Sequence, residues 1–101
     1  MTPEDKMELI REGWGIPGIP HLYVPPITKV EAVHGFSYGS GATIFPQALA
    51  MGATWNKNLT EKVAMAIGEE TLAAGTMQAW SPVLDVAQDA RWGRCEETFG
   101  E

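Results

Sequence analysis

Residues 58–87, NLTEKVAMAIGEETLAAGTMQAWSPVLDVA, decide the fold class. Leu59, Val63, Ala66, Ile67, Ala73 and Ala74 recur near the helical period, which predicts a helix over 58–75. Asn58 and Glu61 stand at the spacing of a capping box. Gly75 is placed to end the helix in a left-handed conformation. Glu61, Lys62, Glu69 and Glu70 then fall mainly on the wet side. The following segment is nearly all apolar, and Val83-Leu84-Asp85-Val86 reads as a buried strand. A strand of that kind after a helix suits a parallel sheet covered on both faces.

Upstream, Thr2, Pro3 and Asp5 form a helix-start pattern, which predicts a short helix over 2–12 with Met7 and Ile10 as its apolar face. The glycines and prolines of 13–20 predict a loop, with Trp14 and Ile16 as anchors. A short apolar run, His21 to Val24, is interrupted by Pro25-Pro26. A second run, Ile27 to Val33, leads into a turn at Gly35, and Gly39, Ser40 and Gly41 mark a flexible connection. Residues 43–52 predict a short helix on which Phe45 and Leu49 share a face. Its small residues Ala48, Ala50 and Gly52 suit close packing. The order helix, loop, strand, helix, helix, strand, loop is α/β.

The chain has 101 residues with 7 Lys+Arg against 13 Asp+Glu, a formal net charge of −6. No basic cluster offers a phosphate-tracking surface, which argues against nucleic acid. No apolar stretch reaches the roughly 18 residues of a membrane span. The charged N-terminus, MTPEDKMELIREG, lacks the apolar region of a signal peptide. One cysteine, Cys95, excludes an internal disulfide, and two histidines with it give no zinc signature. The length allows one modest core but not a closed βα barrel, which takes about 250 residues. The last residues are a charged loop with no helix to cover the final strand, so the chain reads as a fragment that would be marginally stable alone.

Two constellations carry polar chemistry. Glu31-Ala32-Val33-His34-Gly35 places a carboxylate and an imidazole at a predicted strand end, where parallel α/β folds face their ligands. The bland alternative is a loop carboxylate and a histidine that ties backbone together. The other is Asp85, Asp89, Arg91, Trp92, Arg94, Glu96 and Glu97. Guanidinium forks bind hydroxyls and an indole face suits a sugar, while the same residues also read as a structural salt-bridge cluster. Paired carboxylates invite a glycosidase reading, in which a retaining pair stands about 5–5.5 Å apart. Spacing alone does not fix that separation for Asp85 with Asp89 or for Glu96 with Glu97. Cys95 lacks a general base at a telling spacing, Gly39-Ser40-Gly41 lacks the lysine of a phosphate loop, and Ser37 and Ser40 sit in no nucleophile elbow.

Five ordered blocks resemble the N-terminal barrel domain of family 3 glycoside hydrolases, the β-glucosidase and β-xylosidase family. They are MTPEDKMELI, GIPHLY, EAVHGFSYGSGATIFPQALAMGATWN, LTEKVAMAIGEETLAAG and SPVLDVAQDARWGRCEETFGE. Together they cover essentially the whole chain. The resemblance implies that residues 1–101 are the first few βα units of a (β/α)8 barrel, completed by the rest of the barrel and by C-terminal domains. It implies a retaining, exo-acting enzyme on β-linked oligosaccharides or glycosides, working through carboxylates without a cofactor. Glu31 and Arg94 are implied to hydrogen-bond the terminal sugar. His34, Asp89, Arg91, Trp92 and Glu97 are implied to shape the loops. Glu101 falls in the same implied scaffold. The nucleophile, a Lys-His pair and the acid/base are implied to lie beyond Glu101, so that no catalytic residue falls in this segment.

The segment departs from the family pattern at three places. Val24 to Lys29 is a longer link than usual, Ala90 stands where the family has proline, and Glu31 stands where many glucosidases have aspartate. Glutamate there goes with xylosidases in the family, while the remaining blocks look more like glucosidases. The expectation is therefore glucoside first and xyloside second, with a non-catalytic sugar-binding or assembly module as the alternative from another class. Relatives of the bacterial type that the blocks resemble are often exported, which leaves the periplasm or the outside open to the full-length protein, through a segment that would precede Met1. The compartment of this chain is not fixed by its residues.

Overall fold

The structure is a computed structural model and describes residues 1–11, 13, 15–38 and 41–101. The expectations for Trp14, Gly39 and Ser40 lie outside the described residues. The elements are α1 (Pro3–Ile10), β1 (Gly15–Ile16), β2 (Ile27–Val30), α2 (Ala48–Gly52), α3 (Lys57–Ala73) and β3 (Gln78–Ala79). Single 3-10 turns occupy Pro20–Leu22 and Cys95–Glu97.

The sheet is mixed, in the order β1-β2-β3. β1 pairs antiparallel with β2 (Gly15 with Thr28, Ile16 with Ile27), and β2 pairs parallel with β3 (Lys29 with Gln78, Val30 with Ala79). The parallel pair is linked through α2 and α3, the βαβ logic that the alternating pattern predicts. Val30, Ala32, Phe36 and Ile67 form the core, with Ala42, Phe45, Val63 and Ala79 packed against it. Helix α3 thus covers the sheet chiefly through Val63 and Ile67, one turn apart.

Several local expectations hold. Thr2 caps α1 with the full capping box, its side chain accepting from Asp5 N while Asp5 accepts from Thr2 N. Gly75 follows α3 at φ +77°, which favours glycine. Ala48 is buried in α2, as its small side chain suits.

Others are corrected. Met7 and Ile10 are exposed, so they form no buried face. Gly15–Ile16, inside the expected loop, is a strand because it pairs with β2. His21 and Leu22 belong to a 3-10 turn, and the antiparallel bridge there joins Ile19 to Val24. The second helix starts at Ala48, after Pro46, so Phe45 packs from the preceding loop while Leu49 is exposed. Helix α3 is capped by Asn56, whose side chain accepts from Leu59 N, rather than by Asn58.

The largest correction concerns the last strand. β3 lies at Gln78–Ala79, and residues 83–86 are not in a strand, with Leu84 86% and Val86 53% exposed. The Thr28 side chain binds Gly75 O, and Met77 N reaches Thr28, so the chain enters the sheet directly after α3. Trp80 N still donates to Val30 O, but Pro82 brings no N–H to continue a ladder.

Candidate functional site

β2 and β3 run parallel, so their C-terminal ends open on the same side. Glu31 is the first residue past β2 and is exposed, while Ala32 beside it is buried in the core. The loop that follows is fixed at two points. His34 O accepts from Phe45 N at 2.7 Å, and a β-carbon on Gly35 (φ +144°) would overlap the Thr43 carbonyl oxygen. His34 itself is half-buried, and its Nδ1 is buried with no hydrogen-bond partner among the described residues. Ser37 bonds the Gly35 carbonyl and serves the turn.

The chain after β3 carries the second group. Asp89 binds Arg91 through both carboxylate oxygens and also accepts from Arg91 N. The Arg91 side chain, followed by its backbone N–H, holds the Asp89 carboxyl below the usual range. Asp89 is thereby tied to the next arginine of its own turn. Trp92 is half-buried and lines a shallow hollow of about 220 Å³ with Asp85 and Asp89. The Cys95 thiol donates to Trp92 O at 3.2 Å, which gives it a structural partner.

Arg94 makes a two-pronged ion pair with Glu97, Nε to Oε1 at 2.8 Å and Nη2 to Oε2 at 2.5 Å. The Glu97 hydrogen bond, then its charge, raises the guanidinium further above its ordinary value, and Asp85 and Glu31 add to the effect. Conversely the Arg94 hydrogen bond lowers the Glu97 carboxyl. Thr98, fully buried, anchors the turn by donating to Cys95 O at 2.8 Å. Gly52 of α2 abuts the Phe99 carbonyl.

Glu31 thus stands exposed just past β2, and Arg94 stands in the loop after β3, forked to Glu97. Arg91 and Asp89 form a separate pair in the same loop, and His34 sits in the first loop. A larger groove of about 470 Å³ runs between α3 and β3, but no charged side chain lines it. Its polar lining consists of the hydroxyl residues Thr60, Thr71, Thr76 and Ser81. Sequence reasoning gave no role to Gly52, beyond noting its small size, or to the hold of Glu70 on Thr43, through its backbone N–H (2.8 Å) and hydroxyl (2.7 Å). Glu70 is half-buried, against the expectation of a wet residue. No group of three or more His, Cys, Asp or Glu suited to a metal ion occurs among the described residues, and no helix among them is long and apolar enough to cross a membrane.

Helices packed on a small mixed sheet make this an α/β arrangement. Residues 18–101 match the family described as Glycosyl hydrolase family 3 N terminal domain, and the chain belongs to that family. It is 40% identical over its whole length to a β-xylosidase of Formosa agariphila. It is 34% identical, again over its whole length, to the probable exo-1,4-β-xylosidase xlnD of Neosartorya fischeri. Over 87% of its length it is 32% identical to the probable β-glucosidase I of the same fungus. These matches span 14%, 15% and 11% of the respective relatives, so the chain corresponds to a small part of proteins of that kind.

Proposed function

We propose that the whole protein carrying this segment is a retaining, exo-acting β-glycosidase that releases terminal sugars from the non-reducing end of β-linked glycosides. In this reading residues 1–101 are the first βα units of a (β/α)8 barrel. They supply one wall of the donor-sugar subsite. Glu31 accepts hydrogen bonds from sugar hydroxyls and Arg94 donates to them. The chemistry follows the retaining scheme: a carboxylate attacks the anomeric carbon, an acid protonates the leaving oxygen, and water then releases the sugar. Those groups come from chain outside these residues.

The observation that carries the reading is the family match over residues 18–101, with Glu31 exposed just past β2 and Arg94 exposed in the loop after β3. Glucoside and xyloside both remain within it. Glu31 favours xyloside, as do the relatives named as β-xylosidases that match along the whole chain. Compared with aspartate, its extra methylene pushes the carboxylate deeper into the subsite. That suits a pentose, which lacks the C6 hydroxymethyl group. The test is the whole protein with aryl β-xylosides and β-glucosides, watching the first-formed anomer by NMR. Release of the β-anomer first is expected, with Glu31→Asp shifting preference toward the glucoside. Release of the α-anomer first, or no hydrolysis of either, overturns the reading.

A further inference from the structure

We infer that Glu97 is a positioning residue: it holds the Arg94 guanidinium by one edge and so fixes the edge that is left for the sugar. The inference rests on the proposed role of Arg94 at the donor sugar.

The fork engages Nε and Nη2 of Arg94 and leaves Nη1 outside it. Two parallel bonds to one carboxylate fix the plane of a guanidinium as a single bond does not. The partners differ in exposure, the Glu97 side chain being 24% and the Arg94 side chain 63% accessible. The sheltered carboxylate is the fixed member, and the arginine presents its free edge outward. Glu97 is held in turn by its place in the 3-10 turn, where Glu97 N donates to Arg94 O and the adjoining Thr98 is buried.

A double-mutant cycle on the whole enzyme tests this, with Arg94→Ala, Glu97→Gln and the pair, read as kcat/KM and as inhibition by the free sugar product. Glu97→Gln keeps the shape but loses the charge and one prong. It is expected to lower kcat/KM about 10-fold or more and to weaken product binding in step. In the Arg94→Ala background the same change should cost less than about twofold, because nothing is left to position. A loss that multiplies fully onto that of Arg94→Ala marks Glu97 as scaffold only and overturns the inference, as does a Glu97→Gln enzyme within about twofold of the parent. If Arg94→Ala itself changes nothing, the role of Arg94 at the sugar fails and the inference falls with it, an outcome distinct from the other two. Should Glu97→Gln not fold, Arg94→Lys keeps the charge but cannot take both prongs. An activity loss of about 10-fold is then expected, and parental activity overturns the inference.

Discussion

Gly52 and Phe99 meet backbone to backbone: a β-carbon on Gly52 would overlap the Phe99 carbonyl oxygen. This contact seats α2 against the turn that carries Arg94 and Glu97. Gly52→Ala should destabilise the protein by about 1–3 kcal/mol, since neither backbone yields cheaply. Denaturant unfolding measures it, and parental stability would mean that the turn does not rest on α2.

Glu70 ties α3 to the loop before α2 through Thr43. The Thr43 hydroxyl, then its N–H, lowers the Glu70 carboxyl below its ordinary value of 4.5. A carboxyl lowered by folding adds stability above its unfolded value and loses it as the pH falls through the lower folded one. The difference in Tm between the parent and Glu70→Gln should therefore be constant near neutrality and shrink below about pH 4.5. A difference that persists at lower pH would assign the effect to shape rather than charge.

Asn56, not Asn58, accepts from the first turn of α3. Asn56→Ala should cost about 1 kcal/mol and Asn58→Ala only a few tenths. Equal losses in thermal unfolding would contradict the assignment.

The two caps show what was legible in the sequence. Thr2 and Asp5 matched the capping pattern and form it. Asn58 and Glu61 matched it as well, yet Asn56, two residues earlier, does the capping. Local spacing does not choose between two asparagines so close together, because the start of α3 is also set by how Val63 and Ile67 meet the core. The last strand was misplaced for a related reason. Val83 to Val86 has the composition of a buried strand, but pairing is decided at Thr28, Lys29 and Val30, which take the chain at residues 77–80. The polar groups were legible one by one, at a strand end and in a charged loop. Which partner each would take was not: Arg94 meets Glu97, and Arg91 meets Asp89, only through the turns that the loop forms.

Glu31 and Arg94 bind a sugar in the proposal but supply no nucleophile. The isolated 101-residue segment should therefore show no turnover of aryl β-glucosides or β-xylosides. Hydrolysis that co-purifies with the segment and vanishes in Arg94→Ala would contradict that division of labour.

Glu31 and Arg94 face one terminal sugar in the proposed enzyme. A crystal structure of the whole protein with its monosaccharide product bound tests this. Hydroxyls of that sugar are expected within about 3.2 Å of both the Glu31 carboxylate and the Arg94 guanidinium, with Glu97 still on the Nε edge. A bound sugar that touches neither residue would contradict it.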